Sequence, residues 1–473
     1  MQNQLLKRII SMFIVIAMAL VCFAGCGDSE NSSGNGIDEV DESAPVTIKV
    51  GIWSQASDQA GTANWENYQA IMKERYPNIT LQAEPYSYSS DTFIPMAVSG
   101  TAPNIFSCPF TEPTSLISSE FVADITDYAK KYGLYDALTE SMTAPATVDG
   151  KLYGLPRDGY AMSLMINMSL FRAAGLVDSD GLPIYPKTFD ELAQTAQTIT
   201  EETGKAGFIM TTLDRQGGWQ FSNIAWNFGA ELQYQDESGK WVNGIASDAS
   251  VQALEYIKRL RWELGVMPDN ALVNLSTAYQ LFATGEGAMM LCGSDSFNIP
   301  VQNYKMNKED IAVVPVPEGP GGQYSLLGGV MYMFSADSTA NQIDACFKLL
   351  DVIGYSADPT DEVLQAIEDE IKVREENGYA IGPRSLNVWS SQERLDAEQE
   401  IYDRYTNVDM RLYQTFYDTV YDTLKMEEKY YCQDMYSALD TAVQEVMTNS
   451  SADCKSLLEQ ASSDFQIFLD QMN

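Results

Sequence analysis

The chain has 473 residues, and 29 Lys+Arg against 66 Asp+Glu leave a formal charge of −37 with no histidine at all. That field repels phosphate backbones, whose affinity for proteins comes largely from Lys and Arg displacing counterions, so the composition argues against nucleic acid as a partner. Without His, the usual general base of Ser-His-Asp and Cys-His hydrolases is missing, together with every His-containing zinc or haem site. Carboxylates, Lys, Tyr and Cys remain for proton chemistry. With 45% hydrophobic and 11% aromatic residues the chain can build packed cores, and its length suits two to three domains. The acidity itself reads as a charged, solubilising surface.

Lys7 and Arg8 form a short positive start, an almost unbroken apolar run extends from Ile9 to Ala24, and Phe23-Ala24-Gly25-Cys26 follows. The run falls short of the roughly 20 apolar residues of a membrane-crossing helix and has the flanks of a signal segment, so residues 1–25 are expected to be removed. Ala24-Gly25-Cys26 resembles the lipobox of bacterial lipoproteins, in which that cysteine is lipidated and becomes the first mature residue; Phe23 stands where Leu is usual. The alternative is an ordinary secretory peptide with an incidental Cys26. Residues 26–44, rich in Ser, Gly, Asn, Asp and Glu, cannot bury a core and read as a flexible tether. The folded part is expected from about Pro45. Beyond Cys26 the cysteines are Cys108, Cys292, Cys346, Cys432 and Cys454, with no C-x-x-C pair, so neither a metal cluster nor a dithiol site is indicated. Cys432 and Cys454 are the first pair to test for a disulfide; the alternative for each cysteine is a small buried apolar residue.

Val46, Ile48, Val50 and Ile52 alternate with polar or small residues and predict a strand ending at Trp53. A helix is expected over 63–76, with Trp65, Tyr68 and Met72 on one face and Pro77 as its stop, then a strand over 79–83, a short helix over 93–98 and a strand over 104–106. Such alternation predicts a mostly parallel sheet with helices on its faces, and ligands of such sheets bind beyond the carboxyl ends of the strands. Trp53, Tyr86 with Tyr88, and the loop from Pro109 to Glu112 fall there. Thr188-Phe189-Asp190-Glu191 spells a capping box opening a helix through Leu192, Ala196 and Ile199. Another helix spans 249–264 before Gly265, and from Asp361 onward the pattern is helical.

Six segments in order carry a resemblance. They are Tyr76-Pro77-Asn78-Ile79, the run from Ser99 to Ile105, Asp149-Gly150-Lys151-Leu152-Tyr153-Gly154-Leu155-Pro156, the run from Ile166 to Leu176, Pro186-Lys187-Thr188-Phe189-Asp190-Glu191-Leu192, and Phe282-Ala283-Thr284-Gly285-Glu286-Gly287-Ala288-Met289-Met290. In this order they resemble the bacterial extracellular solute-binding proteins of family 1, the carbohydrate-type receptors of ABC importers, and the stretch from Ala438 to Met447 resembles the family's closing helix. Asn104, Ser169 and Phe189 depart from residues common there. The resemblance implies an α/β, two-lobed periplasmic-binding-protein-like fold of type II, with an interlobe cleft, a hinge and a helical C-terminal region. The chain would cross between lobes near Leu155 to Tyr160, near Leu291 to Asp295 and around Asp351 to Ser356. The N-terminal lobe would then take 45–157 plus 295–352, and the C-terminal lobe 158–294 plus 353–473.

A sugar offers C–H faces for aromatic stacking and edge hydroxyls for carboxylates, amides and guanidinium groups. Candidate ligand contacts are Trp53, Tyr86, Glu112, Asp158, Tyr160, Trp219, Trp226, Asp295, Gly328, Arg384 and Trp389. The resemblance implies that Trp53, Trp219 and Asp295 line the cleft and that Gly328-Gly329 brings backbone near the ligand. Trp226 reads equally as a core tryptophan, Asp158 as a turn or hinge residue, and Arg384 and Trp389 as packing in the helical region, while Trp65 and Trp262 read as packing. The implied protein is an extracellular, lipid-anchored monomer without cofactor, metal or catalysis. Its partners are a carbohydrate and the permease subunits of an ABC transporter. A secreted glycoside hydrolase working through two carboxylates is the alternative, and a surface glycan-binding adhesin a third reading.

Overall fold

Val46–Val50 (β1) opens the folded body with Ile48 and Val50 wholly buried, as the alternation requires. The computed structural model describes residues 40–55 and 59–471; the signal segment, Cys26 and most of the tether lie outside the described residues. The tether's last residues are not free: Asp41 N–H donates to Asn341 Oδ1 at 3.0 Å, and Asn78 Nδ2 donates to the carbonyls of Glu42 and Ala44, both at 3.0 Å. The ordered chain thus begins before Pro45.

After β1 come Gln59–Arg75 (α1), which closes before Pro77, then Ile79–Ala83 (β2), Ser90–Val98 (α2) and Ile105–Pro109 (β3). β1 pairs in parallel with β2 and with β3. The expectation of a mostly parallel sheet fails beyond this point. Gly154–Asn167 (β4) and Ser325–Phe334 (β8) run antiparallel to each other, and β8 runs antiparallel to β3.

The second half of the chain's layout follows from β4, which is 14 residues long. Its residues from Gly154 to Ala161 pair with β8, whereas those from Met162 to Ile166 pair with Gly287–Gly293 (β6) and those from Leu164 to Asn167 with Ile311–Val314 (β7). One strand therefore belongs to two sheet halves. Ala206–Ile209 (β5) extends the second half by parallel pairing with β6. The partner switch at Ala161/Met162 lies just past the expected first crossing. The expected resumption of the first half at residue 295 is corrected: after Asp295 the chain returns to pair β7 with the second half of β4, and it passes to β8 only over 315–324.

Phe189–Thr203 (α3), Gln216–Asn227 (α4) and Asp248–Trp262 (α5) accompany the second half, and Ala340–Val352 (α6) packs on β1. The Thr188 cap is only half a box. Thr188 Oγ1 accepts from Glu191 N–H at 3.2 Å, but Glu191 Oε2 accepts from Lys187 N–H at 2.7 Å rather than from the N–H of Thr188.

The helical C-terminal stretch comprises Asp361–Glu376 (α7), Gln392–Tyr405 (α8), Arg411–Thr423 (α9), Cys432–Thr448 (α10) and Cys454–Leu469 (α11), broken by Leu424–Met426 (β9), which pairs with β8. The helices α7 and α8 enclose a small core of Ile371, Ile381 and Ile401. Between them, the loop 380–391 straps the two halves together. Asn298 and Ala380 exchange two hydrogen bonds at 2.9 Å on one side, while on the other Leu386 N–H reaches Gly159 O and Thr139 N–H reaches Val388 O, both at 2.9 Å. Among the described residues, Cys108, Cys292, Cys346, Cys432 and Cys454 are all buried and free. Cys432 and Cys454 open successive helices of a hairpin, so they sit at opposite ends of a segment about 25 Å long at 1.5 Å per residue. Among the described residues no helix is long and apolar enough to cross a membrane.

Helix α4 approaches α10 because Gly218 has no side chain: a Cβ there would stand 2.2 Å from the Tyr436 carbonyl oxygen and 2.6 Å from its Cα. Backbone cannot yield as a flexible side chain can. Gly218→Ala is expected to lower the unfolding free energy by about 1–3 kcal/mol in denaturant titration, and an unchanged midpoint would place the helices farther apart.

Candidate functional site

The first turn of α4 is held by Asp440 of α10, whose carboxylate accepts Arg215 N–H at 2.6 Å and Gly218 N–H at 2.7 Å and so satisfies donors that no helix can pair internally. This fixes Trp219, 8% exposed, with its ring edge-on to Tyr160 at 6.1 Å and 74°. Tyr160 in turn lies over Gly328, its register partner on β8; a Cβ at 328 would come within 2.4 Å of the Tyr160 hydroxyl oxygen.

These rings form one wall of a cavity of about 330 Å³. It opens beyond the carboxyl ends of β3, at Pro109, and of β6, at Gly293, where α/β sheets place their ligands. Asp295 and Ser296, just after β6, form its second side, with Tyr279 above the same loop. The third side is supplied by Glu427, Gln433 and Tyr436, from the turn before α10 and that helix's start, and Arg215 and Gln216 stand at the mouth.

Electrostatics are uneven around this space. Burial pushes the Glu427 carboxyl up to about 7, opposed by the hydrogen bond from Tyr436 OH at 2.8 Å and reinforced by Glu112. Desolvation followed by the charge of Asp158 raises Asp295. Desolvation also raises Glu112, although Tyr88 OH donates to it at 2.8 Å. The indole Nε1 of Trp219 is buried with no hydrogen-bond partner among the described residues. Aromatic rings and carboxylate acceptors around a site of this size suit a small hydroxylated ligand.

Of the sequence-derived candidates, the structure gathers Tyr160, Trp219 and Asp295 around the cavity, with Gly328 beneath Tyr160. Glu112 lies behind the wall: Thr111 beside it accepts from Gln433 Nε2 at 3.3 Å. Asp158 is paired with Arg157 at 2.6 Å and reaches the site only through its charge. The others lie elsewhere. Trp53 stacks on Trp65 at 4.5 Å, and Tyr86 OH bonds Thr92 Oγ1 at 2.9 Å. Trp226, 1% exposed, is a core residue whose Nε1 donates to Glu428 Oε1 at 3.0 Å. Arg384 faces Glu398 at 3.5 Å, and Trp389 is sandwiched between Arg394, 4.2 Å from its ring centroid, and Tyr355 at 4.9 Å. Both belong to the strap. Glu427, Gln433, Tyr436 and Tyr279 were not foreseen; the only hint was the i, i+3 spacing of Gln433 and Tyr436 ahead of the closing helix.

A larger recess of about 740 Å³ lies between Phe189, Phe228 and Tyr256. Its rings are packed on one another at 5.5–5.6 Å, Asp190, Glu255, Arg259, Glu263 and Glu318 also line it, and none of its lining residues carries a buried polar atom without a partner.

Residues 57–353 match the family described as bacterial extracellular solute-binding protein. The chain belongs to this family. A putative binding protein of Brucella abortus (strain 2308) is 24% identical over 216 residues, 45% of this chain and 49% of the relative, so the match spans about half that relative's length. The polygalacturonan/rhamnogalacturonan-binding protein YtcQ of Bacillus subtilis (strain 168) is 21% identical over 358 residues, 72% of this chain and 68% of its own. Among solved structures, the GacH receptor of Streptomyces glaucescens superposes with a TM-score of 0.66 at 18% identity, covering 90% of this chain and 98% of that one. The solute-binding protein described here thus has the two-domain fold of periplasmic sugar receptors. Its relatives and structural neighbours are binding proteins rather than enzymes.

Two predictions follow from this geometry. Trp219→Phe keeps a ring but removes the orphaned donor, so ligand affinity should fall about tenfold, close to the value of one hydrogen bond, with little change in ligand-free unfolding. Trp226→Ala should instead cost about 3–5 kcal/mol of ligand-free stability. Calorimetry and denaturant unfolding on the two variants decide both, and the reverse pattern would exchange the roles. The pH dependence has a definite sign. Glu427 and Glu428, both raised by burial from 4.5 to about 7, bind more protons folded than unfolded across that window. Their contribution therefore weakens stability as pH rises from about 4.5 to about 7 and is flat above. Glu427→Gln and Glu428→Gln should each shrink the loss of unfolding free energy between pH 5 and pH 8, and unchanged slopes would mean that both carboxyls titrate normally.

Proposed function

We propose that the protein is a lipid-anchored receptor on the extracytoplasmic face of the cell membrane that captures a mono- or oligosaccharide and delivers it to the permease of an ABC importer. The observation that carries the reading is the cavity walled by Tyr160, Trp219, Asp295 and Glu427 beyond the ends of β3 and β6, beside the strand that joins the two halves. Family membership supplies the transport context, and the ligand printed in the name of YtcQ supplies the sugar class. Cys26 is the proposed lipidation site, and residues 1–25 the removed signal segment.

In this reading one lobe takes residues 45–160 with 325–352 and the other 162–314 with 406–471, the strap and its helices lying between them. The ligand first touches one lobe and gains its remaining contacts when the other swings in, so the shift toward the closed form equals the difference in ligand affinity between the two forms. Capture requires no covalent step, no cofactor and no second copy of the chain. The ligand leaves as it came.

The test is a thermal-shift and calorimetric screen over a carbohydrate panel, with the supernatant analysed for products. The expected result is one-to-one binding with the ligand recovered intact. At 100 times its Kd a ligand should stabilise the protein by about 2.7 kcal/mol. Cleavage of a bound oligosaccharide would replace the receptor with a carboxylate-dependent glycosidase, and a panel without any ligand would remove the sugar.

A further inference from the structure

Two carboxylates, Asp295 and Glu427, face the cavity, and Arg215 is the one cation in its wall. Behind it stand Glu112 and Asp434: burial raises both carboxyls, the charge of Asp434 adds to the rise of Glu112, and Arg215 opposes both. Arg157, the next nearest guanidinium, is committed to Asp158 through bonds of 2.6 and 2.7 Å. Among the described residues no Lys or Arg forms an ion pair with Asp295, Glu427, Glu112 or Asp434. Arg215 thus bears on Glu112 and Asp434 and Arg157 on Asp295, but neither is ion-paired with any of the four acids.

Negative charge in a partly desolvated space is costly unless a positive charge enters with the ligand. Glu427 receives one internal hydrogen bond, from Tyr436 OH, and Asp295 a single 3.2 Å contact from its neighbour Ser296, so both retain acceptor capacity toward the cavity. The rings of Tyr160, Trp219, Tyr279 and Tyr436 line the same space, and a ring that turns its face to a ligand there offers the negative quadrupole that attracts a cation. A hydroxyl can donate to such carboxylates, but only an ammonium both donates and neutralises.

We propose that the sugar taken by this cavity carries a protonated amino group, held between Asp295 and Glu427. The inference rests on the receptor reading above and narrows its ligand to amino sugars. An anionic sugar would meet uncompensated repulsion there, which sets this chain apart from a relative named for polygalacturonan.

The test is calorimetry on the purified full chain with glucosamine and galactosamine oligomers, their N-acetylated counterparts, unsubstituted oligomers of the same sugars, and oligogalacturonides. Amine-bearing oligomers are expected to bind at least tenfold more tightly than the N-acetylated forms at low salt, with the gap narrowing as salt is raised. Glu427→Gln and Asp295→Asn should each reduce that preference several-fold, with ligand-free melting confirming that each variant folds. Equal or tighter binding of an unsubstituted or N-acetylated oligomer would overturn the charge assignment while leaving the receptor reading intact. Binding of oligogalacturonides would do the same. If no member of this panel or of the wider carbohydrate panel binds, the receptor reading itself falls and takes the inference with it.

Discussion

A strand of 14 residues that changes partners half-way along its length governs this molecule. Every amide in such a strand must find an acceptor once buried, and β4 finds them in β8 up to Ala161 and in β6 and β7 beyond it. Both halves of the structure therefore inherit their orientation from one continuous piece of backbone. The cavity sits beside the changeover because Tyr160, immediately before it, and Gly293, paired with Met162 immediately after it, are brought together by that strand.

Support for the cavity comes from far along the chain. Asp440 caps α4 across more than 200 residues of sequence, and the close approach that Gly218 permits brings Tyr436 and Gln433 to the same space as Trp219. The two helices are thus fastened by a charge-assisted cap at one point and by a missing side chain at another. Neither Asp440 nor Gly218 lines the ligand space, yet both decide where Trp219 stands.

How far the sequence could be read follows from the range of each signal. The strand at Ile79–Ala83 and the N-cap at Thr188 depend on neighbours within four residues, and both are where local pattern puts them. Trp219 was separable from Trp226 only weakly, since both lie in one apolar helix; what divides them is Glu428, 202 positions away, which claims the Trp226 N–H and leaves that of Trp219 unclaimed. Glu427 was invisible for the same reason: nothing around it in sequence distinguishes it from other surface acids. The mixed sheet and the late passage at 315–324 depend on long-range pairing, which alternation of strands and helices does not encode. Trp389 and Arg384 were drawn toward the site by residue type alone, whereas the strap uses them for packing.

Gly328 gives the cavity a property that its visible walls do not. The phenol of Tyr160 reclines against backbone because position 328 offers only hydrogen, and any side chain there would tilt the ring upward into the space it now borders. The depth open to a guest is thereby metered by a residue that a guest need never meet, and a side chain at that position would change the room available while every other wall residue kept its identity.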